Sequence, residues 1–470
     1  MDYKNILIIG AGRAGKLLQK DIEKNHPNCK VIGFADDIEK ENGIKVLGTL
    51  AGLSKLNKVY KIDEMIIAIP SASGKLVREI LLNNLKNKVP IKIVPRDQRI
   101  ISLSDVKYEE TQYLKLEDFL GRPFLKKNID QLKKYYKNKK IFITGGAGSI
   151  GSEIVRQLLD LDAGKIIVYD NSEYLCFNLD QSLKEEGIPG NKYKIIIGSV
   201  INHNKVDYVV KREKPDIIFH AAAYKHVYLM EDNIGESIRT NVGGTKNLVD
   251  VAIANNIAQL IFISTDKVVN PTSVMGASKK LGEYYIKCLG SKKTKFGIVR
   301  FGNVINSNGS VLPLFERQIT ERKYVTVTHR KIERFFMSIR EAAQLVIKSA
   351  ARNTNGDIHI LNMEELIRIY EVALCLIRSR NLIPETDVKI KIIGLKKGEK
   401  MIEELFTDVE KGNLRKTEVD DIFCLKNFEK CPADIKVTIE DLLKMARYYP
   451  NEEKIKSYLK TIFPTLKVKS

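Results

Sequence analysis

An apolar strand that runs into a glycine turn and then into a helix occurs twice in this chain, at residues 6–16 (ILIIGAGRAGK) and 140–152 (KIFITGGAGSIGS). Few local patterns restrict a fold as tightly. The first turn is Gly10-x-Gly12-x-x-Gly15 and the second Gly145-x-x-Gly148-x-x-Gly151. Glycine at these places lets the backbone turn sharply and approach a pyrophosphate, whose charge meets the amides of the helix N-terminus. Each turn also has a carboxylate about twenty residues past its last glycine, where a ribose hydroxyl needs an acceptor. These are Asp36 and Asp37 at the end of KVIGFADD, and Asp170 at the end of KIIVYD. A carboxylate at 170 repels a 2′-phosphate, and no Arg follows it in NSEYL, so NAD is expected there and NADP less so.

Alternating strand and helix signals continue after each turn. EMIIAIP, GKLVREILLNNLK and IKIVP follow the first; YKIIIG, DIIFHAAAY, a helical run from Ser237 to Asn255, LIFISTDK and KFGIVRFGNV follow the second. The expected class is α/β, with two Rossmann-like, doubly wound parallel-sheet domains. Residues 1–125 form a nucleotide-binding domain, 126–139 a basic linker helix, and 140–470 a larger domain. The larger domain divides into a cofactor part to about 304 and a smaller substrate-capping part beyond it. In this architecture ligands lie beyond the carboxyl ends of the strands, so HAAAYKH, STDK and FGNV converge on one crevice.

Composition excludes several classes. The apolar runs, such as Ile6–Ile9 and Met65–Ile69, are far shorter than the roughly 18–20 residues that cross a bilayer, and the N-terminus carries no signal-peptide pattern. A cytoplasmic protein is expected. The six cysteines form no CxxC pair and read as free thiols, without a metal. Net charge is +20, but no nucleic-acid motif accompanies it. The one dense basic stretch, Lys126, Lys127, Lys133, Lys134, Lys137, Lys139 and Lys140, reads as a solvated linker face able at most to touch a membrane surface weakly.

TGGAGSIGSE, HAAAYKHVYLMED, STDKVVNPTSVMGASK, RFGNV, VTVTHRKIERFFM and GLKKGEKMIEEL, in this order, closely resemble the CapD/PglF-like nucleotide-sugar 4,6-dehydratases of polysaccharide biosynthesis, which are extended short-chain dehydrogenase/reductases. The N-terminal unit and LEDFLGRP at 116–123 resemble the domain preceding the catalytic one in larger members, whose transmembrane helices this sequence lacks. Short-chain dehydrogenases usually place Tyr where this chain has Met275. The Met version resembles the PglF-like subgroup, which implies retention at C5 of UDP-N-acetylglucosamine.

The resemblance implies an NAD site made by Gly145, Gly148, Ser149, Ile150, Gly151, Asp170, Asn171, Ser199, Val200, Ala221, Ala222, Ala223 and Lys279. It implies substrate contacts at Lys225, Asn303 and Arg334, with a UDP-N-acetylhexosamine as partner and a homo-oligomeric assembly. The chemistry needs a base and an acid facing one carbon pair. Hydride loss from C4 makes a ketone that acidifies the C5 hydrogen, and water then leaves C6. Lys267 as base and Asp266 as acid meet that need if their surroundings lower the lysine pKa and raise that of the aspartate. Thr265 is placed to bond the C4 oxygen and Lys279 to hold the nicotinamide ribose. Without the tyrosine, Thr265 with Asp266, or a water, are the candidates to take the C4 hydroxyl proton. His220 and His226 are read as packing groups.

Departures from the family pattern are Ser199 in place of Asp, Lys396 and Lys397 in place of Arg-Pro, and Glu364 and Leu366 in place of Gly and Pro. The rival readings are an epimerase on the same scaffold and a non-catalytic nucleotide-sensing protein.

Overall fold

The computed structural model describes residues 3–37, 44–95, 106–120, 129–291, 293–352, 355–418, 421–426, 432, 434–447 and 451–466. Lys126, Lys127, the GRP of LEDFLGRP and Cys431 lie outside the described residues.

Strands β1 (Lys4–Ile9), β2 (Cys29–Ala35), β3 (Val46–Gly48), β4 (Glu64–Ile67), β5 (Ile91–Ile93) and β6 (Gln112–Tyr113) form one sheet in the order β3-β2-β1-β4-β5-β6. Ile6–Ile9 are fully buried, because a central parallel strand is covered on both faces and reads as a continuous apolar run. The edge differs from the all-parallel expectation. β6 runs antiparallel to β5, pairing Lys92 with Tyr113.

The second sheet takes β7 (Lys140–Thr144), β8 (Lys165–Asp170), β9 (Tyr193–Ile197), β10 (Ile217–His220), β11 (Gln259–Ile263) and β12 (Lys295–Arg300). The chain then makes β13 (Asn303–Val304), β14 (Tyr324–Val327) and β15 (Glu333–Met337) outside that sheet. It returns to it with β16 (Asp357–Leu361), leaves again through β17 (Leu366–Arg368) and β18 (Lys389–Ile392), and closes with β19 (Leu414–Lys416) and β20 (Ile422–Leu425). The nine-stranded order is β19-β20-β16-β12-β11-β10-β7-β8-β9. The region after 305 is therefore not one cap. IHILNM supplies the interior strand β16, and the helices Ile435–Met445 and Glu452–Ile462 join the core of the second sheet through Ile439, Leu442, Ile455 and Leu459.

What remains as the lid, built on β13-β15-β17 and β14-β18, shares its core with the first domain. Ile80, Leu81 and Phe119 belong to one buried cluster with Phe315, Cys375 and Leu376. The helix Gly74–Leu82 packs on the helix Ile369–Ser379. Polar contacts reinforce this seam. Arg78 donates to the Phe119 carbonyl at 2.7 Å and pairs with Glu365, and the buried Arg378 donates to the carbonyls of Asn84 (2.8 Å) and Val89.

The basic helix Ile129–Tyr136 is only half solvated. Lys133 and Lys134 face water, but Tyr136 is fully buried and donates to the Ile347 carbonyl at 2.7 Å, while Tyr135 donates to Gln259 Oε1 at 3.0 Å. Its amphipathic pattern thus anchors it to the second sheet.

The cysteine reading needs one correction. Cys29, Cys176, Cys375 and Cys424 are free, but Cys288 is disulfide-bonded, since separation along the chain sets no limit on approach in space. Among the described residues no helix is long and apolar enough to cross a membrane.

Candidate active site

β7 ends at Thr144 and the chain turns through Gly145 at φ +63°. A Cβ there would lie 2.6 Å from the Ala222 nitrogen, and one on Gly151 would lie 2.1 Å from the Gly145 oxygen. Only glycine lets strand, turn and helix close this tightly. Gly148 precedes the helix Ser149–Asp160 as its N-cap. Asp170 reaches back into the turn, its Oδ2 accepting from the Ala147 N–H at 3.1 Å and its Oδ1 from the Ser172 N–H at 3.0 Å. Each oxygen keeps a further lone pair for a ribose hydroxyl. A cradle too narrow for a Cβ, a helix N-terminus and a carboxylate beside it together fit a dinucleotide.

Above the turn opens a cavity of about 610 Å³. Gly145, Gly148, Ser149, Ile150, Gly151, Ala221 and Ala223 line one end; Lys225, Thr265, Lys267, Met275, Lys279, Asn303 and Arg334 line the other. Five expected cofactor residues stand outside this lining. Asp170 and Ala222 sit behind the turn, Val200 is buried near Gly244, the Ser199 carbonyl accepts from the Tyr169 hydroxyl at 3.1 Å, and Asn171 is exposed.

The reactive end is assembled from two strand ends. After β11, Thr265 caps the short turn Asp266–Val268 and donates through Oγ1 to Asp266 Oδ1 at 2.8 Å. Lys267 Nζ donates to Asp266 Oδ1 at 2.9 Å and to Asn303 Oδ1 at 3.2 Å, and lies 3.6 Å from Glu403 Oε1. Ser273 caps the helix Val274–Leu289 by accepting from the Gly276 N–H. That helix presents Met275 and Lys279 to the cavity, as their four-residue spacing requires.

Lys279 Nζ donates to the Ile263 carbonyl at 2.6 Å and lies 3.9 Å above the Phe262 ring. Burial pushes its pKa down to about 7. Lys225 is also lowered, first by burial and then by the charge of Lys267. Lys267 departs from the expectation of a lowered pKa. Burial is the largest influence and pushes down, but the carboxylates of Asp266 and Glu403 together outweigh it, so the ammonium is held above its ordinary value.

Arg334 is buried in the wall, and its guanidinium is engaged by protein. It donates to the carbonyls of Glu333 (2.7 Å) and Lys400 (2.8 Å), and Nη2 contacts Glu399 at 3.3 Å. Its visible work is to fix the loop at 396–404. His220, between Thr144 and Thr245 hydroxyls at 2.8 and 3.0 Å, is buried and held neutral by burial and by Lys279.

Asp357, His359 and Cys424 also come together. The thiol donates to Asp357 at 3.4 Å, and burial raises its pKa to about 12. The charges of Lys426 and Arg352 act on the same thiol. The trio reads as hydrogen-bonded core.

Sequence reasoning missed two contributors. Glu403 was hidden in a motif of alternating charges, and the loop after β13, NSNGS, returns to the glycine turn through the Asn308 N–H, which donates to Ser149 Oγ at 3.0 Å. The polar, glycine-bearing composition of NSNGS was a readable turn signal.

Comparison with known proteins gives the family. The profile described as polysaccharide biosynthesis protein matches residues 141–427. The chain belongs to that family. Over 423 residues it is 36% identical to the capsular polysaccharide biosynthesis protein CapD of Staphylococcus aureus, covering 87% of this chain and 70% of that one. A relative from Campylobacter jejuni named UDP-N-acetylglucosamine 4,6-dehydratase (inverting) is 33% identical over 57% of this chain and 77% of its own. Among solved structures, Pen from Bacillus thuringiensis superposes with a TM-score of 0.58 at 33% identity, covering 66% of this chain and 98% of that one. DesIV of Streptomyces venezuelae, a dTDP-glucose 4,6-dehydratase solved with NAD, shares the fold at a TM-score of 0.51 and 20% identity over 56% of this chain and 87% of that one.

Proposed function

We propose that the chain is an NAD-dependent UDP-N-acetylglucosamine 4,6-dehydratase. The observation that carries this reading is the meeting, in one cavity, of the Gly145–Gly151 turn with Thr265 and Lys267, both hydrogen-bonded to the fully buried Asp266 just behind them. An acid and a base side by side suit loss of water across C5 and C6, whereas an epimerase needs no acid for a departing hydroxyl. Asp170 at the second turn favours NAD over NADP. The named activity of the Campylobacter relative supports the same substrate class.

When bound, NAD accepts hydride from C4 and returns it to C6, so the overall reaction is redox-neutral. The protein supplies the rest. Thr265 Oγ1 bonds the C4 oxygen and passes the C4 hydroxyl proton to water as the ketone forms; one proton taken back from water restores the Lys267 ammonium at the end of the cycle. Proton transfer along the 2.9 Å contact from Lys267 Nζ to Asp266 Oδ1 turns the ion pair into an amine and a carboxylic acid, a form favoured when substrate excludes water from the cavity. The amine then takes the C5 proton, and the C5–H electron pair moves toward the C4 oxygen. Asp266 gives its proton to the C6 hydroxyl, which leaves as water. Finally Lys267 returns a proton to C5. Lys279, near 7, is a donor to the nicotinamide ribose, and Lys225 and Asn303 orient the sugar nucleotide.

The test is incubation with UDP-N-acetylglucosamine without added oxidant, read by mass. A product lighter by one water is expected. A product of unchanged mass but altered stereochemistry would mark the epimerase, and unaltered substrate the non-catalytic protein.

A further inference from the structure

Lys267 is flanked by two carboxylates, and the reaction above uses only one. Asp266 is fully buried and Glu403 is 4% exposed. Among the described residues, Asp266 Oδ2 and Glu403 Oε2 are buried oxygens without a hydrogen-bond partner. Glu403 Oε1 stands 3.6 Å from Lys267 Nζ and 3.6 Å from Arg334 Nε. A buried carboxylate half-satisfied in this way is costly, and its retention beside a cation asks for an explanation.

The position is fixed from several sides. Arg334 holds the carbonyls of Lys400 and Met401, the Glu333 N–H donates to the Met401 carbonyl at 3.0 Å, and Lys400 Nζ donates to the Val269 carbonyl at 2.7 Å. Thr272 Oγ1 donates to the carbonyl of Gly398, which itself sits at φ +72°. β15 and the segment 269–272 thus hold the loop that brings Glu403 to within 3.6 Å of Lys267 Nζ.

We propose that Glu403 is a positioning residue that sets the proton affinity of Lys267. The proposal rests on the dehydratase reading and deepens it. Asp266 must carry a proton to release the C6 hydroxyl as water, and once neutral it no longer balances an ammonium. Lys267 becomes an ammonium at the step when it takes the C5 proton. Glu403, 3.6 Å from Lys267 Nζ and 3.6 Å from Arg334 Nε, is the carboxylate left to stabilise that cation. The charged groups facing Lys267 are therefore Asp266 on its own turn, Glu403 on the 396–404 loop, Arg334 on β15 and Lys225 after β10. The last two oppose the carboxylates.

The experiment compares wild type, Glu403→Gln and Glu403→Asp. In each, the Lys267 amine is titrated by NMR after 13C-dimethylation of the folded protein, its signal assigned by its absence in Lys267→Arg. Removing an opposite charge at this distance lowers the midpoint by about one to two pH units. Glu403→Gln is expected to show that drop. Glu403→Asp, which keeps the charge but withdraws it by one methylene, moves the midpoint less in the same direction and decides the matter alone if the glutamine variant does not fold. The acid limb of the dehydration profile follows the same shift in the glutamine variant, with kcat reduced at least about tenfold, the scale of a perturbed acid–base group, and KM little changed. An unmoved Lys267 midpoint overturns the proposal whatever the activity. A shifted midpoint in a protein that removes no water from the sugar nucleotide upholds the positioning role and instead defeats the dehydratase reading.

Discussion

The two glycine turns are built alike and surrounded differently. Gly10 has φ +105° and Gly145 φ +63°, and in both turns a Cβ on the last glycine, Gly15 or Gly151, would strike the first glycine's carbonyl at 2.1 Å. In both a carboxylate reaches back to the turn, Asp36 Oδ2 to the Ala11 N–H at 2.6 Å and Asp170 Oδ2 to the Ala147 N–H at 3.1 Å. The neighbouring strand ends separate them. Beyond β4 the chain reads IPSASGK, whereas beyond β11 it reads STDK and leads to a helix carrying Met275 and Lys279. A shared cradle thus specifies a class of ligand, and chemistry depends on what neighbouring strands bring to its mouth.

The most damaging test of this contrast is removal of the strand-end groups. Lys267→Ala should abolish dehydration, and Asp266→Asn should cost at least about 100-fold, measured as product formation at saturating substrate; near-wild-type rates in both would erase the distinction between the turns. Next in size, Gly145→Val should remove NAD binding together with activity, because its Cβ meets backbone, whereas Gly12→Ala, whose Cβ meets nothing within 4 Å, should leave turnover and NAD affinity within about twofold, the scatter expected of a surface substitution. Isothermal titration and rate measurements on both variants check this.

A third outcome concerns the seam between the first domain and the lid. A fragment starting at Ile129 is expected to retain dehydration but to melt at least about 5 °C lower, since Phe315 and Leu376 lose their cover; a fragment that is folded, binds NAD and is inactive until residues 1–128 are added would show that the first domain completes the site. Smaller still, Met275→Leu preserves apolar volume at a cost of less than about 1.5 kcal/mol, so its steady-state rate should stay within about tenfold.

The finest effect is one of pH. The Lys279 pKa is about 7 in the folded chain against an ordinary 10.5. Between these values the unfolded chain binds the extra proton, so this group's contribution to stability rises with pH across that window. Melting temperature against pH should therefore lose part of its upward slope from 7 to 10.5 in Lys279→Met relative to wild type.

Much of the second domain was readable because parallel strands buried on both faces write themselves as apolar runs, and because β7, β10, β11 and β12 end in the segments that carry the chemistry. The return of β16, β19 and β20 to the same sheet was not readable. Their apolar runs resemble any other, and partner choice between His359 and Cys424 is decided by packing that a linear pattern does not encode. The contacts of Arg334 to the carbonyls of Lys400 and Met401 were not readable for a similar reason: an arginine can bind a diphosphate or a row of carbonyls, and the sequence does not show the loop that approaches it. The raised proton affinity of Lys267 was hidden because Glu403 lies far from it in sequence. Glu364, at φ +56°, adopts a left-handed backbone at a cost of roughly 1 kcal/mol.

The route of the chain through the nine-stranded sheet has a consequence for synthesis. β16 ends at Leu361, while its outer neighbour β20 begins at Ile422, and at roughly 5–20 residues per second the nascent chain waits about 3–12 s for that partner. During this interval the outer edge of β16, with Ile358 and Ile360, offers unpaired backbone to any other strand nearby. Arg300, wholly enclosed in the finished protein, also waits for Glu410, to which it donates at 2.8 Å. The nascent protein is therefore most exposed to aggregation, and most in need of a chaperone, while residues 362–421 are being translated.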